Sequence, residues 1–371
     1  MTDPSTTQAS TTQASTSRSS TSRSSATQSA ARDRLLALPT AGLGAWPTPL
    51  QRIDRFARAV DPVSPPEVYI KRDDVQGVAL AGNKVRKFDL VIGDALVNGV
   101  DTIVTTGAIQ SNSARTGAAA AAATGLDCVL LLSGREPASS TANLLLDRLL
   151  GADVRFAGNV GWRELNDGVD AIVAELAAKG HKALAAPVGC SSPLGSLGFA
   201  RAFLELDAQL TEAGIEPSAI VHTTTSGGTH AGLLVGRALT GRAVPVIGID
   251  AGRMYRDQPA VLAKMANAAA DLLDFDPGLV ADDVVLVTDQ VGDSYGRHTS
   301  AGAEAIGMLA RTEAIITDPV YSGKGLAGLV AMLRGESAVE LTEGPVVFWH
   351  TGGFHALFDP NHGDQMIGNA T

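Results

Sequence analysis

The sequence predicts an α/β protein with mainly parallel sheets. Short β-rich runs alternate with helical ones along most of the chain, and the strand-like runs are apolar throughout. The strongest of them, "CVLLLSG" and "VVFWHTGG", stop at glycines after a strand's length. Such alternation implies sheets covered by helices on both faces.

From "RDRLLALPTAGLGAWPTPLQRID" onward the pattern is compact. "VYIKRD" reads as a strand leading to the helical "NKVRKFDLVIGDALVNG", and "DTIVTTG" leads to "SNSARTGAAAAAATG". "CVLLLSG" is followed by "TANLLLDRLLGA", and "AIVHTTT" by "GTHAGLLVGRALTG". "PVIGIDAG" precedes an alanine-rich helical stretch ending at Leu273. With 371 residues the chain has room for two domains or one large α/β domain. The first 32 residues read differently, because "TTQAS" and "TSRSS" each occur twice there and large apolar side chains are nearly absent. Such a segment buries too little to offset its chain entropy, so it is expected to be a disordered tail. Its Ser, Thr and Arg content has the flavour of a transit peptide but lacks an amphipathic face.

Composition narrows the function. No apolar run reaches the roughly 18 residues of a membrane span, so the chain reads as soluble. A net charge of −10 with no basic block beyond "NKVRK" leaves no footprint for nucleic acid or an anionic membrane. The expected ligand is a small molecule. Cys128 and Cys190 are too few for a disulfide framework and lack metal-ligand spacing, which fits a reducing, cytoplasmic setting. Both read as small buried residues. His230, His350 and His355 show no i, i+4 pairing, so no metal site is expected.

In parallel sheets ligands bind beyond the carboxyl ends of the strands, so the strand-to-helix turns carry the chemistry. In "TTSGGTHAGLL", Thr225, Ser226, Gly227, Gly228 and Thr229 would present hydroxyls and successive N–H groups at a helix start, which suits a phosphate. Ordinary N-capping by Ser226 or Thr229 explains the same turn. In "TTGAIQSNSARTG", Gln110, Ser111, Asn112 and Ser113 cluster hydrogen-bonding groups at another helix start, suited to a carboxylate, although Ser113 alone could be a cap. In "LAGNKVRKFD", Lys84 and Lys87 are three apart and point the same way on a helix. A lysine near a phosphate site suggests an amine nucleophile for a carbonyl cofactor. Finally, Tyr295 in "GDSYG" and Tyr321 in "DPVYSGKG" are two of only four tyrosines, each near glycine in a polar turn.

Taken in order, "GNKVRK", "QSN", "SGGTHAGL", "DPVYSGK" and "HTGG" resemble the pyridoxal-phosphate-dependent family of 1-aminocyclopropane-1-carboxylate deaminase and D-cysteine desulfhydrase. The resemblance runs from "PTPLQRID" to "HTGGFHALF". It implies a tryptophan-synthase-β-like, fold type II enzyme with two three-layer α/β/α domains. Residues 33–89 and 197–371 would form a large cofactor-binding domain, residues 90–196 a small one, and residues 1–32 the tail. It implies that Lys84 binds pyridoxal 5'-phosphate covalently and that Lys87, one turn on, faces its phosphate with the turn from Thr225 to Thr229. Asn83, Asn112, Ser322 and Thr351 match further cofactor contacts. Gln110, Ser111, Asn112, Tyr295, Tyr321 and Thr351 match the substrate side, with Lys84, Ser111, Tyr295 and Tyr321 as the catalytic set. It also implies a homodimer.

The residue after the motif tyrosine discriminates within the family. Ring-opening deaminases carry glutamate there and leucine before the glycine pair, whereas this chain has Ser322 and Thr351, as in the desulfhydrases. The expected reaction is β-elimination, D-cysteine to pyruvate, ammonia and hydrogen sulfide. The runner-up is ring-opening deamination or a sulfo-lyase reaction on cysteate, and the reading from another class is a non-catalytic cofactor-binding sensor. Three positions depart from the family pattern: "AGNK" stands where "GGNK" is common, Ser113 replaces a usual histidine, and Thr225 replaces a frequent glycine.

Overall fold

The computed structural model describes residues 13–80, 82–294, 296–360 and 362. Along the chain come α1 (Gln13–Ala37), β1 (Leu50–Arg52), α2 (Asp54–Val60), β2 (Val68–Arg72), α3 (Lys84–Val97), β3 (Thr102–Ala108) and α4 (Asn112–Thr124). They are followed by β4 (Asp127–Ser133), α5 (Ala142–Leu149), β5 (Asp153–Phe156), α6 (Trp162–Ala178), β6 (Ala183–Ala186), α7 (Pro193–Ala213) and β7 (Ala219–Thr224). The chain ends with α8 (Gly228–Thr240), β8 (Val246–Asp250), α9 (Gln258–Asp271), β9 (Val285–Val287), α10 (Ser300–Glu313), α11 (Ser322–Leu333) and β10 (Val346–His350). Among the described residues no helix is long and apolar enough to cross a membrane.

The strands form two sheets. The larger has the order β1-β2-β10-β7-β8-β9, with only β1 antiparallel, and the smaller has the all-parallel order β5-β4-β3-β6. Side chains alternate between the two faces of each strand, so each sheet needs cover on both sides. On one face of the larger sheet Ile220, Val246 and Val347 pack with α7, α8 and α9; on the other, Val221, Ile249 and Phe348 pack with α10 and α11. In the smaller sheet Val104 and Leu131 meet α6, while Leu130 and Leu132 meet α4 and α5. This is the two-sheet α/β/α layering that the resemblance implies.

Helix α3 is drawn tight against α7. A Cβ on Gly198 would lie 2.0 Å from the Arg86 carbonyl oxygen, and one on Gly232 2.0 Å from the Ser196 carbonyl oxygen. Bare glycines thus let α3, α7 and α8 approach backbone to backbone. A buried ionic network braces the same region. Arg86 donates to Asp73 at 2.8 Å through both Nε and Nη2, and to Glu205 Oε2 at 3.0 Å. Lys71 donates to Glu205 and to Gln209, and the Trp349 indole N–H donates to Asp73 at 2.8 Å. Arg86, Asp73 and Lys71 are all buried.

The amino-terminal reading needs correction. Residues 13–32, expected to be disordered, belong to α1, whereas residues 1–12 lie outside the described part. The docked end explains why. Ala31 and Leu35 are fully buried, Gln28 donates to the Ala238 carbonyl at 2.8 Å, and Arg32 Nε donates to the Leu239 carbonyl at 2.8 Å. These side chains satisfy orphan carbonyls at the end of α8. In return Arg201 donates to the carbonyls of Leu35, Leu36 and Leu38 at the end of α1.

Candidate active site

A cavity of about 360 Å³ opens beyond the carboxyl ends of β3, β6, β7, β8 and β10, lined by Ala108, Gly189, Ser226, Arg253 and Thr351 among others. Strand ends leave N–H groups and following helix starts pointing outward, so such a place suits a polar ligand.

Lys84 opens α3, because Asn83 occupies the cap position and Gly82, at φ 124°, turns the chain there. Gly82 pairs with Gly352 in an isolated antiparallel bridge, and the Asn83 N–H donates to the Thr351 carbonyl at 3.0 Å. Lys84 Nζ donates to Asn83 Oδ1 at 2.8 Å and stands 5.5 Å from the centre of the Tyr321 ring. Burial lowers its pKa from 10.5 to about 8, with Arg115 adding in the same direction and Cys190 and Asp318 opposing. The amine is therefore still protonated at neutral pH but gives up its proton more readily than an exposed lysine.

Lys87, one turn on, is fully buried and donates to the Gly189 carbonyl and to Ser191 Oγ, both at 3.1 Å. Burial, and then the charge of Lys84, push its basicity well below the ordinary value. Among the described residues neither lysine has a carboxylate partner within salt-bridge distance. Ser191 Oγ also meets Ser226 Oγ at 2.9 Å and accepts the Gly228 N–H at 3.2 Å. Gly227 takes φ 86° at the cap of α8, and a Cβ on Gly228 would come within 2.8 Å of Lys87 Nζ. A buried ammonium, hydroxyls and a bare helix start thus converge. That donor set fits a phosphate, whose charge would offset the two unpaired cations. Thr229 Oγ1 accepts from Asn83 Nδ2 at 3.0 Å, joining this turn to the lysine-bearing helix, and the Thr225 hydroxyl donates to the Thr224 carbonyl at 2.7 Å.

Across the cavity Ser111 caps α4 by accepting the Ala114 N–H at 3.2 Å. Asn112 Oδ1 accepts from Asn143 Nδ2 at 3.0 Å. Gln110 lines the cavity, but its amide is committed to Asp359 at 2.9 Å and to the Asn143 N–H at 2.9 Å. Tyr321 donates its hydroxyl proton to the Thr223 carbonyl at 2.7 Å. The Thr351 hydroxyl is buried without a hydrogen-bond partner among the described residues. Ser322 is buried behind the wall and bonds Asp318. Tyr295 lies outside the described residues. The histidines point elsewhere: His230 Nδ1 meets His222 Nε2 at 3.0 Å, His350 Nε2 meets the Ile316 carbonyl at 3.0 Å, and His355 stacks on Phe354.

Two contributors escaped the sequence reading. Ser191 sits in the β6-to-α7 turn "GCSSP", a hydroxyl at a strand-to-helix junction and so open to the rule used for the other turns. Asp318 opens the "DPVYSGKG" motif and lines the cavity, with no signal beyond its place beside Tyr321.

Comparisons with known proteins identify the family. Residues 42–352 match the pyridoxal-phosphate dependent enzyme family. A D-cysteine desulfhydrase of Klebsiella pneumoniae (strain 342) is 36% identical over 329 residues, covering 87% of this chain and 97% of the relative. The crystal structure of an ACC deaminase homologue superposes with a TM-score of 0.82 at 34% identity, over 91% of this chain and 98% of the other. Threonine deaminase isoform 2 from Solanum lycopersicum shares the fold, with a TM-score of 0.62 at 16% identity over 91% of this chain and 86% of its own. A phosphate-fitting turn wired to a lysine pair, in a chain that matches the family over residues 42–352, makes this protein a member of the pyridoxal-phosphate-dependent enzyme family.

Proposed function

We propose that this enzyme catalyses β-elimination on a small amino acid, with D-cysteine and water consumed and pyruvate, ammonia and hydrogen sulfide formed. The observation that carries the reading is the similarity to a D-cysteine desulfhydrase over nearly the whole folded chain, joined to two hydroxyls, Ser322 and Thr351, at the positions that separate the family's reactions. When bound, pyridoxal phosphate supplies the electron sink for breaking bonds at Cα and Cβ.

The residues divide the work. Lys87, Ser191, Ser226 and the start of α8 would hold the phosphate. Lys84 would anchor the cofactor and carry the Cα proton, a task suited to an amine whose pKa burial has brought to about 8. Ser111 and the N–H groups opening α4 bind the substrate carboxylate. Asn83 and Asn112 orient the cofactor, Thr351 offers the substrate side a hydroxyl, and Tyr321 shields Lys84 with its ring. Tyr295, which lies outside the described residues, is assigned to the substrate side on the family resemblance alone. Two buried free thiols support a cytoplasmic protein, and a homodimer belongs to the same proposal.

The test is a substrate panel on the purified holoenzyme with keto acid as readout, covering D- and L-cysteine, cysteate and the cyclopropane amino acid. D-cysteine should give the highest kcat/KM, and Lys84→Ala should lower it by orders of magnitude. Preference for the cyclopropane substrate would assign the deaminase reaction, and preference for cysteate the sulfo-lyase. Cofactor binding without turnover would make the protein a sensor.

A further inference from the structure

His222 on β7 and His230 on α8 are fully buried, with ring centres 5.1 Å apart. His222 Nδ1 stands 3.0 Å from the Thr223 carbonyl oxygen, and His222 Nε2 stands 3.0 Å from His230 Nδ1. Burial keeps both rings neutral: it lowers the pKa of His222 to about 4 and that of His230 well below its ordinary value. A neutral imidazole has one N–H and one bare nitrogen, and a carbonyl can only accept. The His222 proton therefore sits on Nδ1, its Nε2 accepts, and the His230 proton sits on Nδ1 as well. His230 Nε2, at the far end, is buried with no hydrogen-bond partner among the described residues, so nothing there opposes the assignment. The Thr223 carbonyl thus sets both tautomers.

The same carbonyl accepts the Tyr321 hydroxyl at 2.7 Å. The pairing of β10 with β7 stops at Trp349 and His222, one residue before Thr223, and side chains take over as donors there. A carbonyl oxygen has two lone pairs. One takes the His222 N–H and the other the Tyr321 O–H. Both ends of this chain of bonds belong to the cavity region: Tyr321 lines the cavity beside Lys84, and His230 lies in the first turn of α8, whose start meets Lys87. The His230 ring has no room to swing, since a Cβ on Gly248 of β8 would already stand 2.8 Å from its Nδ1.

We propose that His222, oriented by His230, is a positioning residue for Tyr321: by filling one lone pair of the Thr223 carbonyl it leaves the phenol a single place to give its proton, so that Tyr321 meets the substrate only as an acceptor. The proposal rests on the functional reading above, in which Tyr321 stands on the substrate side. The substrate group that meets the phenol must then carry a hydrogen, as a thiol or an ammonium does. Without the His222 N–H the carbonyl offers two places, and the hydroxyl gains freedom to turn its proton.

The experiment uses holoenzyme labelled with nitrogen-15 in its histidines, observed by NMR at neutral pH, with kcat per occupied site measured on the best substrate of the panel. His222 and His230 should both show a protonated Nδ1 and a bare Nε2. His222→Leu should lower kcat roughly tenfold, the scale of a misplaced contact. His222→Asn, whose amide nitrogen stands where Nδ1 stood, should recover most of the loss. In a Tyr321→Phe background His222→Leu should lower kcat no further, because the two act as one unit. If His222→Leu does not fold, His230→Leu takes its place and should show the same dependence on Tyr321 with a smaller loss. A proton on Nε2 of His222 in wild type overturns the proposal, as does an equal loss with and without the Tyr321 hydroxyl, or no loss at all. A wrong substrate reading shows instead as a different preferred amino acid in the panel and leaves the coupling between His222 and Tyr321 standing.

Discussion

Two groups of buried cations meet at α3, and they differ in what surrounds them. Arg86, with Lys71 beside it, is enclosed by Asp73 and Glu205, so each charge has an opposite charge at hydrogen-bond distance. Lys84 and Lys87, two residues back and one residue on, turn to the other side and meet only carbonyl, amide and hydroxyl oxygens. The first group is complete in the protein alone; the second has its counter-charge left out of the chain. Burying an unmatched charge destabilises a fold, so such an arrangement marks a place kept for an anionic ligand.

The largest test of the contrast is to break the complete group. Glu205→Gln would place an amide N–H₂ against the Arg86 guanidinium, and breaking a buried pair costs about 3–5 kcal/mol. The cofactor-free protein should melt well below wild type in calorimetry, while cofactor affinity per folded molecule should hold. An unchanged melting temperature would mean that solvent already screens the network.

Removing the unmatched charge should act in the opposite sense. Lys87→Met should leave the cofactor-free protein at least as stable as wild type, because the change relieves a desolvated ammonium. The same change should weaken cofactor binding roughly tenfold to a hundredfold, the equivalent of one charge-assisted hydrogen bond. Titration of the cofactor absorbance with each protein checks the second part and thermal melting the first.

A smaller effect concerns pH. Below about 8 the Lys84 amine is protonated in both the folded and the unfolded chain, so the full cost of burying its charge is present. Between about 8 and 10.5 the unfolded chain still holds the proton that the folded chain has shed, and the cost falls as pH rises. The melting temperature of cofactor-free wild type should therefore gain on that of Lys84→Met across this window. A difference that stays flat would place the folded pKa close to 10.5.

Much of the scaffold was legible because alternation of apolar strands with helical runs is a local signal. The turns at 105–117 and 224–234 were legible for the same reason: a strand's end and a helix's start can be read within a dozen residues. Helix α1 was not. Its composition promised no burial, yet Ala31, Leu35, Gln28 and Arg32 find partners some two hundred residues away, on α7 and α8. Gln110 illustrates the converse, a polar side chain that lines the cavity while Asp359 and Asn143 occupy its amide. Asp318 escaped because its role comes from juxtaposition, not from spacing, whereas Ser191 sat in a strand-to-helix turn that the same rule covers.

The bridge from Gly82 to Gly352 carries a consequence for exchange with solvent. Residue 352 lies two past the end of β10, an interior strand of the larger sheet, so the turn bearing Lys84 is in effect stitched to the sheet's middle. Loops usually open alone and lose their amide protons quickly. The Asn83 amide, bonded to the Thr351 carbonyl, cannot be released without disturbing the end of that strand. Its deuterium uptake should therefore be slow for a loop, keeping pace with β10, and the reactive amine would hold its place over times on which ordinary loops wander.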